Sequence, residues 1–405
     1  MTDKLNRRRF LSQTTLASTA LYGALKAPSG ITAETSTQTD PTKVPGSNVS
    51  AYGLRSPHED IKRLPMFNII SGTPLHQLHG SITPSDLHFE RHHAGIPSID
   101  PNQHELLIHG MVDRPLKFTV NDLKRFPAVT RTCFIECSGN FNARATPQTT
   151  VQMLCGLTSQ SEWTGVPLST LLREAGVHTK ASWLLAEGSD AAVMTRSIPV
   201  SKALDDALVV YAQNGEALRP AQGYPIRLLL PGWEGNTNIK WLRRIEVSDS
   251  PFMTREETAK YTDALPDGRV RQFSVVMDAR SVITSPTYPE RIKKGWHEIR
   301  GIAWSGRGKI HAVEVSTDGG KTWLKADLQG PVLAKAHTRF RLPWQWDGKP
   351  TSIMSRAIDE SGYRQPTLRE LVKVRGLPTA EAYHFNPIQA WEIDTFGQMT
   401  FSPEV

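Results

Sequence analysis

From Phe273 to Ile358, six short runs rich in β-formers follow one another: Phe273–Asp278, Trp296–Trp304, Lys309–Ser316, Thr322–Asp327, His337–Leu342 and Ser352–Ile358. Between the third and fourth lies Asp318-Gly319-Gly320, a strong hairpin turn signal because glycine enters positive φ freely. Runs of this length and spacing predict a β-sandwich of about 110–130 residues. The chain before it mixes both periods. Strands are expected around Glu105–Val112, Ala128–Ile135, Ser182–Glu187, Leu208–Gln213 and Pro225–Leu230. Helices are expected near Thr119–Arg125, at Ser169–Ala175 with Ser169 as cap and Gly176 as stop, and at Ser201–Ala207. The polar stretch Glu256–Gly268 separates the halves. The fold class is therefore α+β: a mixed α/β domain over residues 66–262, a sandwich over 272–378 and a tail over 379–405.

The N-terminus reads as an address. Asn6-Arg7-Arg8-Arg9-Phe10-Leu11 is a twin-arginine pattern, followed by a mildly apolar run from Thr14 to Leu25 and small residues near Ala27 and Ala33. The run is too short and too polar to span a bilayer, and no other segment is long and apolar enough. A signal over residues 1–33, a Thr-, Ser- and Pro-rich arm over 34–65 and a soluble periplasmic protein are expected. Twin-arginine export carries proteins already folded, often around a cofactor. Of the net charge of +7, the signal holds more than half, with five basic residues against Asp3 alone. The remainder is too weakly basic to imply nucleic-acid binding.

The stretch Cys133-Phe-Ile-Glu-Cys137-Ser-Gly-Asn140-Phe141-Asn142 ends a β-prone run in turn chemistry. That puts Cys137 at the rim of a scaffold, as a thiolate ligand for a soft metal, a nucleophile or a small buried hydrophobe. Three cysteines make an odd count, and Cys133 and Cys137 have no further ligands nearby to complete a zinc set. Phe89, Arg91 and His93 alternate with strand period, so they share a face. Such a face is costly unless it meets solvent or an anion. Pro231-Gly-Trp-Glu-Gly-Asn-Thr-Asn-Ile-Lys240-Trp-Leu242 matches neither the P-loop nor the dinucleotide fingerprint. Its turns can present backbone N–H groups and Lys240 to a phosphate, or form a plain hairpin.

Taken together and in order, several segments resemble the sulfite oxidase-type molybdenum enzymes. These are Phe89-x-Arg91-x-His93, Cys137-Ser-Gly-Asn140, Trp163-Thr-Gly-Val-Pro-Leu168, the block from Gly223 to Leu242, Ala303-Trp-Ser-Gly306, and Val315-Ser-x-Asp-Gly-Gly-x-Thr-Trp323. Within the family the chain is most similar to the sulfane dehydrogenase molybdenum subunits (SoxC type). That likeness rests on Glu136-Cys137, Gln213-Asn-Gly-Glu216, Arg255-Glu-Glu-Thr258 and the tail Tyr383-His384-x-Asn386-x-Ile388-Gln389.

The resemblance implies a molybdopterin-binding domain followed by an immunoglobulin-like dimerisation domain, and a molybdenum–molybdopterin cofactor. It implies Cys137 as metal ligand, with Arg91 and Tyr261 as catalytic partners. Phe89, Arg91, His93, Asp190, Gln222, Arg227, Asn238, Ile239 and Lys240 would hold the cofactor and substrate. Gln222 stands where the family often has histidine. Phe141 and Asn142 stand where ordinary sulfite oxidases carry arginine, and Lys309, near Arg307, aligns with a further arginine. Fewer bidentate guanidinium contacts suit a sulfur carried on a protein arm better than a free dianion. The implied substrate is a cysteine persulfide on a sulfur carrier protein. With no Cys-x-x-Cys-His in this chain, a separate c-type cytochrome subunit would take the electrons, in a heterotetramer built on a homodimer. A periplasmic sulfite dehydrogenase is the alternative within the family, the methionine-repairing reductase branch a second, and a non-catalytic sandwich protein a third.

Overall fold

The structure, a computed structural model, describes residues 43–141, 145–265, 267–376 and 383–402. The signal, Asn142 and part of the tail lie outside the described residues. The chain up to Glu59 is a unit of its own, and its described part, 43–59, is exposed and forms no strand. The second unit begins at Asp60 and carries all the sheets described below.

Two five-stranded sheets build most of the first half. One runs in the order Leu116–Thr119, Glu105–Gly110, Leu242–Ser248, Trp183–Gly188, Thr195–Pro199. Its middle strand, Leu242–Ser248, lies parallel to Glu105–Gly110 and antiparallel to Trp183–Gly188. The other runs Glu216–Ala217, Leu208–Gln213, Thr158–Pro167, Val129–Glu136, and Arg227–Leu229 also pairs with Leu208–Gln213. The helix Leu168–Ala175 seals the first sheet. Leu168, Leu171, Leu172 and Ala175 fall on one face at helical spacing and are all fully buried. At about 2 kcal/mol for each buried leucine, that face holds the helix in place. Gly176 ends it at φ 72°, as expected, but Ser169 is not its cap. The helix starts one residue earlier, directly out of the strand Thr158–Pro167, and the Ala207 carbonyl accepts the Leu168 N–H at 2.9 Å. A tertiary contact has taken over the work of a capping side chain.

The second half is a sandwich of two antiparallel sheets. One holds Arg280–Ser285, Gly295–Trp304, Thr338–Trp346 and Asp327–Gln329. The other holds Leu324–Lys325, Ile310–Ser316, Thr351–Asp359, Gln389–Ile393 and Met399–Ser402. Details of the sandwich differ from the sequence expectation. Phe273–Asp278 is no strand: Val275 and Met277 instead hydrogen-bond Glu234 and Gly232, strapping the glycine-rich segment down. The run Thr322–Asp327 splits, with Leu324–Lys325 in one sheet and Asp327–Gln329 beginning the next strand in the other. The stretch read as a tail supplies two strands.

The sandwich core does not stop at the sandwich. Phe134, Val151, Leu154 and Cys155 from the first half pack into the same cluster as Trp304, Val313, Phe340 and Trp391. His337 stacks on Phe134 with ring centroids 5.8 Å apart and meets Thr158 Oγ1 at 2.9 Å. Among the described residues no helix is long and apolar enough to cross a membrane.

Candidate active site

The strand Val129–Glu136 is exposed at its start and buried at its end, so it delivers Glu136 and Cys137 to the interior. Glu136 then fixes the turn. Its Oε1 accepts from Asn140 Nδ2 at 2.9 Å and Arg280 Nη1 at 3.2 Å, and its Oε2 accepts from Trp304 Nε1 at 2.6 Å. Burial pushes this carboxyl's pKa up, and the Arg280 charge and the two donors oppose that. Asn140 Oδ1 accepts from Leu157 N–H at 2.8 Å, and Cys137 N–H donates to the Leu157 carbonyl at 3.0 Å. The turn is therefore clamped from both halves of the protein. On its other side, a Cβ at Gly235 would come within 2.9 Å of the Glu136 carbonyl, so only glycine lets the glycine-rich segment close on it.

Cys137, partly exposed, opens into a cleft of about 670 Å³. All eleven residues singled out from the sequence line it: Phe89, Arg91, His93, Cys137, Asp190, Gln222, Arg227, Asn238, Ile239, Lys240 and Tyr261. Phe89, Arg91 and His93 do line one cavity, but so do His88 and His92, because only Glu90–Arg91 is strand and the chain turns on either side. Neither Arg307 nor Lys309 lines the cleft. Arg307 pairs with Asp278 at 2.5 Å and lies over Tyr363. Phe141 turns away and packs on Phe385 at 4.3 Å.

Two cations sit deep in the cleft. Arg227 donates to the carbonyls of Gln222 and Asn238, both at 3.0 Å, and lies over the Trp163 ring at 5.2 Å. Burial pulls its pKa from 12.5 to about 9. Lys240 Nζ donates to the carbonyls of Arg91 and Ala221 at 3.2 and 3.0 Å and meets His92 Nδ1 at 2.8 Å. Burial lowers its pKa well below the usual range, Arg227 lowers it further, and Glu90 and Asp190 oppose this only through space. Two desolvated cations held by neutral groups fit an anion such as a phosphate.

Gln222 Nε2 donates to the Phe89 carbonyl at 2.8 Å, and Asp190 Oδ1 accepts from Met194 N–H at 3.0 Å. Asn238 spends its side chain on the loop itself, accepting from Leu230 N–H at 2.7 Å. Nearer Cys137, His93 Nε2 and Tyr261 Oη lie 3.1 Å apart. Burial, with Arg91 and Lys240 nearby, lowers the His93 pKa to about 3, and burial raises that of the Tyr261 phenol. At neutral pH this is a neutral imidazole against a protonated phenol. Arg196 stacks 5.1 Å from the Tyr261 ring centre and is tied to Glu234 and Glu257 at 2.7 and 2.8 Å.

Two family profiles match successive parts of the chain. Residues 93–256 match the oxidoreductase molybdopterin-binding domain and residues 271–390 the Mo-co oxidoreductase dimerisation domain. The crystal structure of the sulfane dehydrogenase SoxCD from Paracoccus pantotrophus superimposes with a TM-score of 0.86 at 44% identity, covering 93% of this chain and 100% of that one. This chain belongs to the sulfite oxidase-type molybdopterin enzymes. Among curated relatives, the NADH nitrate reductase of Ulva prolifera is 31% identical over 77% of this chain, and the human mitochondrial sulfite oxidase 30% identical over 75%. The chain spans only 41% and 61% of those two proteins.

The cleft fits the family's molybdenum cofactor. Beyond the two cations, His88 Nε2, Arg227 Nε and Asn236 Oδ1 are buried without a hydrogen-bond partner, and all three residues line the cleft. A polar ring system with a phosphate would satisfy them. Among the described residues no group of three His, Cys, Asp or Glu could hold a metal. A metal at Cys137 therefore needs ligands that arrive with a cofactor. His88, His92 and Asn236 were missed from sequence. His92 pairs with Glu90 across a strand too short to show a period, and nothing local marks Asn236.

Proposed function

We propose that this enzyme oxidises the outer sulfur of a cysteine persulfide on a carrier protein, stepwise to the sulfonate level, in the periplasm after twin-arginine export. The observation that carries the reading is the cationic supply of the cleft. Among the described residues of the cleft, Arg227 and Lys240 lie deep, Arg91 is the guanidinium whose charge reaches Cys137, and Phe141, where a second would serve a free dianion, is packed away. The 44% identity to a sulfane dehydrogenase points the same way.

When bound, the molybdenum–pterin group supplies oxygen-atom transfer, with two electrons and two protons leaving for each oxygen delivered from water. Cys137 would hold the metal as thiolate; burial raises its pKa here, and metal binding displaces the proton. Arg227, Lys240 and His88 would hold the pterin and its phosphate. Arg91 would steady negative charge as it builds on the sulfur oxygens. Tyr261 and His93 would pass protons between the reacting oxygen and the cleft mouth. The electrons would go to a c-type cytochrome subunit, with the sandwich pairing two chains.

A sulfite dehydrogenase is the competing reading, because Arg91 alone can bind one oxyanion. Enzyme holding about one molybdenum per chain would be assayed for cytochrome c reduction with free sulfite. Fast turnover that is lost in Cys137→Ser overturns the persulfide reading. Little turnover, followed by reduction with a persulfidated carrier, supports it.

A further inference from the structure

The dipeptide Tyr383-His384 lies some 120 residues beyond Tyr261 and some 250 beyond Cys137, yet it touches the surroundings of both. His384 N–H donates to the Ser138 carbonyl at 2.9 Å, one residue from Cys137. His384 Nε2 meets Glu234 Oε2 at 3.3 Å, while the other oxygen of Glu234 holds Arg196, the cation stacked on Tyr261. The Tyr383 ring packs on the Tyr261 ring at 5.1 Å. Arg375 ties the assembly together. It donates to the carbonyls of Tyr383 and His384 at 2.8 and 2.9 Å and pairs at 3.0 Å with Asp263, two residues past Tyr261.

His384 holds this place at φ 52°, in the left-handed region that is uncommon outside glycine, although histidine enters it more readily than most side chains. Neither residue is among those lining the cleft. We propose that Tyr383 and His384 are positioning residues of the molybdenum site. Through Ser138 on one side and the Glu234–Arg196–Tyr261 chain on the other, they set the Tyr261 phenol in register with Cys137. The inference rests on Cys137 and Tyr261 facing the same reacting group. It is indifferent to which sulfur compound reacts.

The test uses two pairs of variants in the molybdenum-loaded enzyme. Tyr383→Leu removes the ring and Tyr383→Phe keeps it; His384→Leu removes the contact to Glu234 and His384→Gln keeps a donor there. Molybdenum per chain is measured first. The EPR spectrum is then recorded after partial reduction with dithionite, which needs no sulfur substrate, so a wrong substrate assignment leaves the test intact. Both leucine variants should keep their molybdenum within about two-fold, show a shifted spectrum and lose roughly 10- to 100-fold in turnover, the usual cost of displacing a catalytic group by about 1 Å. The Phe and Gln variants should restore the parent spectrum and most of the turnover. An unshifted spectrum in both leucine variants overturns the proposal. So does loss of molybdenum from both members of either pair, which would make the segment a structural prop.

Discussion

Replacing Arg227 with methionine should separate a ligand-binding charge from a structural one. Burial lowers the Arg227 pKa from 12.5 to about 9, which disfavours the charged form by roughly 5 kcal/mol at about 1.4 kcal/mol per unit. Against this stand two hydrogen bonds to carbonyls, each about 1.5 kcal/mol from a charged donor, and the stacking on Trp163, about 1 kcal/mol. The difference is about 1 kcal/mol in favour of methionine in cofactor-free protein. For some 340 ordered residues that is about 1–2 °C in melting temperature. A base whose folded pKa is depressed carries its full penalty below that pKa and is relieved as pH rises above it. The comparison should therefore be flat from pH 6 to 8. In loaded protein the sign reverses, because a charge-assisted bond to an anion of about 1.5–3 kcal/mol is lost. Cofactor retention should fall about 10- to 100-fold, read by molybdenum content after dialysis. A cofactor-free methionine variant that melts 5 °C or more lower, with unchanged retention, would refute the reasoning: Arg227 would then be a structural brace.

Cys137→Ser should leave the fold intact by circular dichroism and reduce molybdenum to about a tenth of the parent or less, since a hydroxyl is a poor ligand for a soft site. Trp304→Phe leaves Glu136 Oε2 without its donor, so a loss of roughly 1.5–3 kcal/mol in urea denaturation and faster release of molybdenum are expected. Burial pushes Glu90 up, but the hydrogen bonds from His92 and Arg63 outweigh it and bring its pKa from 4.5 to about 2. A depressed carboxylate stabilises above its unfolded pKa and loses that contribution as pH falls toward the folded one. Glu90→Gln should therefore cost stability at pH 6 and progressively less below pH 4.5, read as urea midpoints.

The site was more legible than the packing that supports it. Cys137 is announced by a β-run breaking into Ser-Gly-Asn, and Lys240 by a glycine-rich segment. Both are local signals, as is the alternation of Phe89, Arg91 and His93, and resemblance carried the remaining cleft residues to their positions. The network behind the site has no local signature. Glu136 reads as one polar residue in a strand until Arg280 and Trp304 arrive from the other half to satisfy it. The strand Arg280–Ser285 escaped notice because Arg280, Ser281 and Thr284 break the apolar pattern, and those residues point at partners inside the protein. The early start of the helix at Leu168 has the same origin, a tertiary carbonyl standing in for a cap.

The core shared across the two halves also bears on how the protein is made. Cys137 emerges from the ribosome early, but Arg280 and Trp304, which fix its turn, come later, and His384 later still. At 5–20 residues per second, synthesis of the intervening stretch of roughly 250 residues takes about 12–50 s. Through that interval the cofactor site lacks part of the bracing that fixes the Cys137 turn. Loading should accordingly follow completion of the chain, and a protein stalled short of residue 384 should reach quality control without metal.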